Sequence, residues 1–477
     1  MRTVLVLLGC LFTPSLAWKQ PLMVYPAPEG VASRDSFTVN VRTPAGQWQE
    51  LFCYEVQVDM HHPRPSSLAY FDFSGQVEVS ATYNRGEIRS ARIRPLSYGI
   101  TPRVDGNVLT FTLTQPRNLS VEVNDDIFDN LHLFAGPIET DRPDPNDPNV
   151  IHFGPGVHSP GRTLRVSSGK TVYLAGGAVV KTKLLCNQVE NVRIIGRGLL
   201  YQPERGVEVT FSKNVAIGGI TVINPTHYTV YGGQSQNITI RNLKAFSSRG
   251  WSDGIDLMSC SDVLVDGVFM RNSDDCIAIY GHRWDYYGDA RNITVRNSSL
   301  WADVAHPVNL GTHGNPETPE VLEDITFANI DILNHDEPQI NYQGCIAMNA
   351  SDENLIRNVR VENVRIEDFE QGQLVNLRVT FNKKYATAPG RGIENILFKD
   401  VTYNGRNANL SVIAGYNEQR ATRNVAFEGL RINGELVWDR MPGKPGYFAT
   451  SDVARIFVGE HVEGLEFRAG ADSPMNP

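Results

Sequence analysis

The chain has 477 residues of ordinary globular composition, 41% hydrophobic and 20% charged, enough to bury a large core. Its 53 acidic residues against 44 Lys and Arg give a net charge of −9, a surface that repels phosphate backbones and excludes nucleic acid as an expected partner. No segment beyond the N-terminus reaches the ~18 unbroken apolar residues of a membrane-spanning helix, so no membrane contact is expected.

Residues 1–17 read as a secretory signal peptide. Arg2 supplies the positive start, Val4–Phe12 is a short apolar run, and Ser15-Leu16-Ala17 is a small-residue cleavage site. A secreted chain, periplasmic in a bacterium, is the expectation. Five cysteines follow, Cys53, Cys186, Cys260, Cys276 and Cys345. The odd count leaves at least one free thiol, and no Cys/His spacing matches a zinc site. Asn118, Asn237, Asn292, Asn297, Asn349 and Asn409 each open an Asn-x-Ser/Thr triplet, an acceptor for glycosylation or a turn residue.

From residue 18 to about 140 short alternating runs such as Ser36–Val41, Gly75–Thr82 and Asn107–Leu113 predict an antiparallel β-sandwich. Residues 141–148, rich in Pro and Asp, read as a linker. Residues 149–470 are repetitive. A short strand opened by Asn or Asp recurs at Asn191, Asn214, Asn237, Asp262, Asn292, Asp324, Asn358, Asn395 and Asn424, at intervals of 23 to 37 residues. Short β-branched strands at that period, without amphipathic helices, predict a parallel β-helix.

A second strand repeats in the same register, and aligning its copies sets His227, Asp253, Asp275, His306, Gly344, Gln373 and Asn409 in one column. Equivalent residues of neighbouring rungs stand about 4.8 Å apart. Asp253 and Asp275, with Asp274 beside them, therefore crowd together. The carboxyl most desolvated is driven toward protonation, which separates an acid from a base. Cleavage of a glycosidic bond needs that pair, one group to protonate the leaving oxygen and one to activate water or attack carbon. Aspartates capping rung corners are the alternative reading.

Trp251-Ser252-Asp253-Gly254-Ile255-Asp256, Asn272-Ser273-Asp274-Asp275-Cys276 and Ala305-His306-Pro307 resemble the signature motifs of the polygalacturonase clan, glycoside hydrolase families 28 and 49. The resemblance covers roughly residues 150–470, and the 21-residue gap from Asp253 to Asp274 is similar to the family's. It implies a right-handed parallel β-helix and an inverting hydrolase; a monomer without metal or cofactor is the accompanying expectation. By the same resemblance Asp274 is the general acid, Asp253 and Asp275 hold and deprotonate water, and His306 supports the acid. The front domain looks more like that of the dextranase/isopullulanase family.

Two departures bear on substrate. Pectin-cleaving members carry an Arg-x-Lys pair on the rung after the histidine, where this chain reads Gly344-Cys345-Ile346-Ala347-Met348-Asn349. Losing that charge-assisted contact weakens uronate binding, and Arg283, Arg378 or Lys383 are the loop cations that could replace it. The disulfide partner that the family gives Cys276 is Ala302 here, so a free thiol is implied. The insertion Tyr280–Tyr287 brings Tyr280, His282, Arg283 and Trp284 near the acid, either facing the groove or packing the loop on the wall. Trp251, His227 and His313 are further substrate-binding candidates, each with a packing alternative. His61-His62 reads as a surface loop.

The expectation is a hydrolase of a neutral polysaccharide such as a dextran- or pullulan-type α-glucan. A pectin-type hydrolase is the alternative, followed by a calcium-dependent lyase and a non-catalytic glycan-binding β-helix.

Overall fold

The computed structural model describes residues 21–470; the segment 1–17 expected to be a signal peptide, residues 18–20 and residues 471–477 lie outside the described residues. Two sheets form the front domain. One joins Leu22–Val24, Tyr54–Val58, Arg64–Phe73, Ala91–Arg94, Arg117–Val123 and Asp126–Pro137; the other joins Phe37–Arg42, Gln49–Leu51, Val77–Tyr83, Arg103–Asp105 and Val108–Leu113. Alternate residues such as Val39, Val41, Val79, Phe71, Val121 and Leu133 fill the space between them. Pairing is antiparallel except that Asp126–Pro137 runs parallel to Arg64–Phe73. The purely antiparallel sandwich of the sequence reading is corrected at that strand pair, because the hairpin of Arg117–Val123 and Asp126–Pro137 enters the sheet with its second strand beside Arg64–Phe73.

Beyond Val150 the chain coils into a right-handed parallel β-helix, with every rung paired in parallel with the next. The repeated Asn or Asp has a structural cause. Asn191, Asn214, Asn237, Asp262, Asn292, Asp324, Asn358, Asn395 and Asn424 all lie at φ of 52° to 57°, the left-handed conformation that Asn and Asp tolerate best among residues with a side chain. Their side chains form a ladder, Asn214 donating to Asn191 at 3.0 Å and Asn237 to Asn214 at 2.7 Å. Asn237, Asn292 and Asn297, three of the glycosylation triplets, spend their amides in such ladders. Inside the coil, Val, Ile and Leu stack rung on rung, and Phe398, Phe427 and Phe467 stack at 4.7 and 5.1 Å.

The sandwich is fused to the helix by a core of its own. Tyr54, Val56, Val58, Leu68 and Phe134 pack on Tyr201, Ile223, Phe246, Phe269, Trp301 and Leu333. Buried charges cross the same boundary. Arg94 binds Glu122 at 3.0 Å and Glu367 at 2.6 Å, while Arg271 pairs with Asp303 at 3.0 Å and donates to Asn130 at 3.1 Å. Among the described residues, no helix is long and apolar enough to cross a membrane.

Candidate active site

One eleven-stranded sheet of the coil carries the site. Its register runs Ile255 to Ile277 to Val308 to Ile346 to Val375, each turned into the core. Counting back two residues puts Asp253, Asp275, His306, Gly344 and Gln373 in one column, as the alignment predicts. On the other side Val230 pairs with Ile255, so the column continues into Tyr228 and not His227. The sequence alignment is one residue out of register there, because the inward Val230 fixes the pairing.

Carboxylate oxygens of Asp253, Asp274 and Asp275 lie within 4.8 Å of one another. They face a cavity of about 430 Å³, also lined by Tyr228, Trp251, Tyr280, Arg283, His313, Tyr342 and Lys384. Asp274 sits on the corner before its strand. It accepts from the backbone N–H of Trp251 at 3.0 Å and of Asp275 at 3.1 Å. Burial and the neighbouring Asp275 nevertheless push its carboxyl up to about 7.

Asp275 behaves in the opposite way. Burial pushes it up, but His306 and the donors around it hold it below the usual carboxylate range. His306 Nδ1 meets Oδ1 at 2.6 Å and its backbone N–H reaches the same oxygen at 3.2 Å. Asn309 donates to Oδ2 at 2.7 Å and the Tyr280 hydroxyl at 3.4 Å. Burial disfavours a charged imidazole, yet Asp275 overcomes it and lifts His306 to about 9, while Nε2 is held by the Tyr342 carbonyl. His306 is fully buried behind Asp275. Its contact is therefore with Asp275, whereas the resemblance has it supporting Asp274; any effect on the acid passes through that carboxylate.

Asp253 is pushed well up, by burial first and then by Asp256, Asp274 and Asp275. Its Oδ1 is buried without a hydrogen-bond partner, as are both oxygens of Asp256, which burial and Asp275 also push well up. Two carboxyls driven toward protonation, one held toward its ionised form and one pushed up to about 7 thus share a small space. Sequence reasoning passed over Asp256; its place two residues beyond Gly254, on the outward face of the strand, is the signal that was present.

The remaining candidates divide. Trp251 is 67% exposed at the cavity lip. Tyr280 and His313 line the wall with rings 5.1 Å apart, and burial drives His313 down to about 3. Arg283 lines it too, with its Nε buried and unpartnered. His227 does not reach the cavity. Its ring lies on Tyr228 at 4.3 Å, and burial drives it down to about 4. Trp284 stacks on Tyr228 at 5.7 Å and Tyr286 packs beside Tyr231, so these two rings seat the loop on the wall. His282 is bonded to the Tyr286 carbonyl at 2.6 Å and stacked on Tyr287, away from the cavity. Arg378 donates to the Asn341 carbonyl at 2.9 Å and buttresses the turn that carries Tyr342. Lys384 faces the cavity, whereas Lys383 lies near the ring of Phe381. Met60 and His61 of the front domain also line it; His61 and His62 lie in an exposed bend, as the surface-loop reading has them, and His61 borders the cavity from there. All five cysteines are free and buried, including Cys276.

The model of "Glycosyl hydrolases family 28" matches residues 200–441, half of the chain. The chain belongs to glycosyl hydrolase family 28. Within that family it is 23% identical over 227 residues to "Probable endopolygalacturonase D" of Neosartorya fischeri, covering 47% of this chain and 42% of the relative. It is 25% identical over 145 residues to "Probable polygalacturonase" of Vitis vinifera, 29% of each. The match thus spans less than half the length of these curated relatives. In fold, Dex49A from Penicillium minioluteum superposes with a TM-score of 0.66 at 14% identity, over 93% of this chain and 96% of that one. The Yersinia enterocolitica family 28 exopolygalacturonase gives 0.53 at 12% identity, over 82% and 97%.

Proposed function

We propose that this family 28 chain is a secreted hydrolase that cleaves glycosidic bonds of a polysaccharide by a single displacement with inversion. The observation that carries the reading is the unlike surroundings of adjacent carboxyls. Asp275 is gripped by His306 at 2.6 Å and Asn309 at 2.7 Å, which hold it below the usual carboxylate range. Among the described residues Asp274 meets only two backbone N–H groups and is pushed up to about 7. Asp274 donates its proton to the leaving oxygen. Water sits against the unpartnered Oδ1 of Asp253, and Asp275 takes its proton as it attacks the anomeric carbon.

The carboxyls stand closer than the ~6.5–9.5 Å of two groups straddling a sugar and a water. The spacing taken alone is nearer to the ~5–5.5 Å of a retaining pair; inversion is carried over from the resemblance to families 28 and 49. Asp275, tied by donors on both oxygens, is also poorly placed to become a covalent nucleophile. Proton NMR of the first product decides: an inverted anomer is expected, and a retained one overturns the mechanism.

A neutral α-glucan is the favoured substrate. The strand Ile346–Ala350 offers Ala347 and Asn349 where pectin-cleaving members place cations. The fold likeness to Dex49A across nearly its whole chain supports the same lean. A second reading, hydrolysis of polygalacturonan, is favoured by the cationic side chains of Arg283 and Lys384 in the cavity and by the names of the curated relatives. Dextran, pullulan and polygalacturonate are the panel that separates the two. Asp274→Asn should lower kcat about 10²- to 10⁴-fold on whichever is cleaved. An unchanged rate would remove Asp274 from the chemistry.

A further inference from the structure

The sandwich turn between Tyr54–Val58 and Arg64–Phe73 reaches over the β-helix and is anchored from beneath. The backbone N–H of Asp59 donates to Asp303 at 3.3 Å, and Asp303 is paired with the fully buried Arg271. The Asp59 carboxylate in turn accepts from the backbone N–H of His61 at 2.9 Å. Met60 and His61 are thereby fixed at the wall of the catalytic cavity. The same two residues form the wall of a second cavity of about 580 Å³, completed by Gln57, Pro63, Ser248, Arg249 and Gly250. Gly250 immediately precedes Trp251, whose backbone N–H holds Asp274. The two cavities therefore adjoin on both sides, through Met60 and His61 on the sandwich and through Gly250 and Trp251 on the helix.

The lining has the character of a sugar site. Met60 and Pro63 give apolar surface for C–H faces, while Gln57, Ser248 and the His61 ring offer polar groups for hydroxyls. Arg249 is exposed and makes no side-chain ion pair among the described residues. The His61 ring likewise makes no hydrogen bond there. We propose that this seam is a subsite for sugar units of the same polysaccharide, continuing the groove past the scissile bond, so that the front domain is part of the substrate-binding surface. The inference rests on the hydrolase reading of the catalytic cavity.

The test uses a ladder of oligosaccharides cut from whichever of dextran, pullulan and polygalacturonate the enzyme cleaves. Wild type, His61→Ala and Arg249→Ala are compared by the ratio of kcat/KM on the longest oligomer to that on the shortest one cleaved. The wild-type ratio is expected to rise with length, and each variant to lower it about fivefold or more. Equal ratios in all three proteins overturn the subsite. Should wild type cleave none of the three polymers, the hydrolase reading falls and the seam is read by affinity electrophoresis in the same polymers. Retardation that is lost in both variants then supports it, and equal retardation or none overturns it.

Discussion

Replacing His306 by Gln keeps a donor near Asp275 while removing the positive charge, and its effect follows from the distances. At ~4 Å between charge centres and an effective dielectric of about 20, the attraction is about 4 kcal/mol. At ~1.36 kcal/mol per tenfold, its loss corresponds to about a thousandfold change in the acid dissociation constant of Asp275. Asn309 still donates at 2.7 Å, so about a hundredfold is the expected size in practice. The sign is fixed by the roles. Asp274 must be protonated, so wild-type kcat/KM falls as pH rises through about 7. Asp275 must be ionised, so kcat/KM falls on the acid side only below the usual carboxylate range. In His306→Gln the Asp275 carboxyl rises, the acid limb moves up toward neutrality, and the bell narrows from its acid side. A pH–rate profile with thermal melting as the folding control reads this directly, and Asn309→Ala should move the same limb by less. An acid limb left in place, or a change confined to the alkaline limb, would refute the assignment of Asp275 as the ionised partner.

Two further outcomes follow from the geometry. Arg271→Met strands the carboxylate of Asp303, whose side chain and that of Arg271 are both 0% exposed, and should cost about 3–5 kcal/mol in denaturant unfolding, with Arg271→Met/Asp303→Leu recovering most of it; a loss under about 1 kcal/mol would mean the pair does not stabilise the helix beneath the sandwich. Trp251→Ala removes a ring at the cavity lip and should raise KM about five- to tenfold, equivalent to about 1–1.5 kcal/mol, because the backbone N–H that holds Asp274 remains; a fall in kcat at constant KM would move Trp251 from binding into positioning of the acid.

What was legible in the sequence is what repeats. Each rung must turn a corner in left-handed conformation, so Asn or Asp recurs at every corner and the period shows. The inward Ile and Val two residues beyond Asp253, Asp275 and His306 fix a register that counting alone recovers. The count slipped at Tyr228 because His227-Tyr228-Thr229-Val230 offers two plausible alignments, and only the pairing of Val230 with Ile255 chooses between them. The partner of His306 was not legible either. A column places His306 next to Asp275 and one residue from Asp274, and which carboxylate it grips depends on the side chain's direction off the corner.

The front domain's share of the cavity was hidden for a different reason. Tyr54, Val56 and Val58 alternate with polar residues as any sandwich strand does, and alternation shows that one face is buried without saying against what. Here that face belongs to the second core, the one shared with the helix, and this choice carries Met60 and His61 to the cavity that Asp253, Asp274 and Asp275 line. The trace that remains in the sequence is chemical rather than periodic. A strand charge is normally turned to solvent, yet Arg94 and Arg271 each face into the domain boundary, and each meets a carboxylate from the helix, Glu367 and Asp303. Arg271 stands three residues before Asp274, so the contact that docks the sandwich also braces the strand leading into the acid. The contacts that dock the sandwich and the corner that carries Asp274 thus lie on one short segment, and a domain that looked separable by composition shares the wall of the cavity.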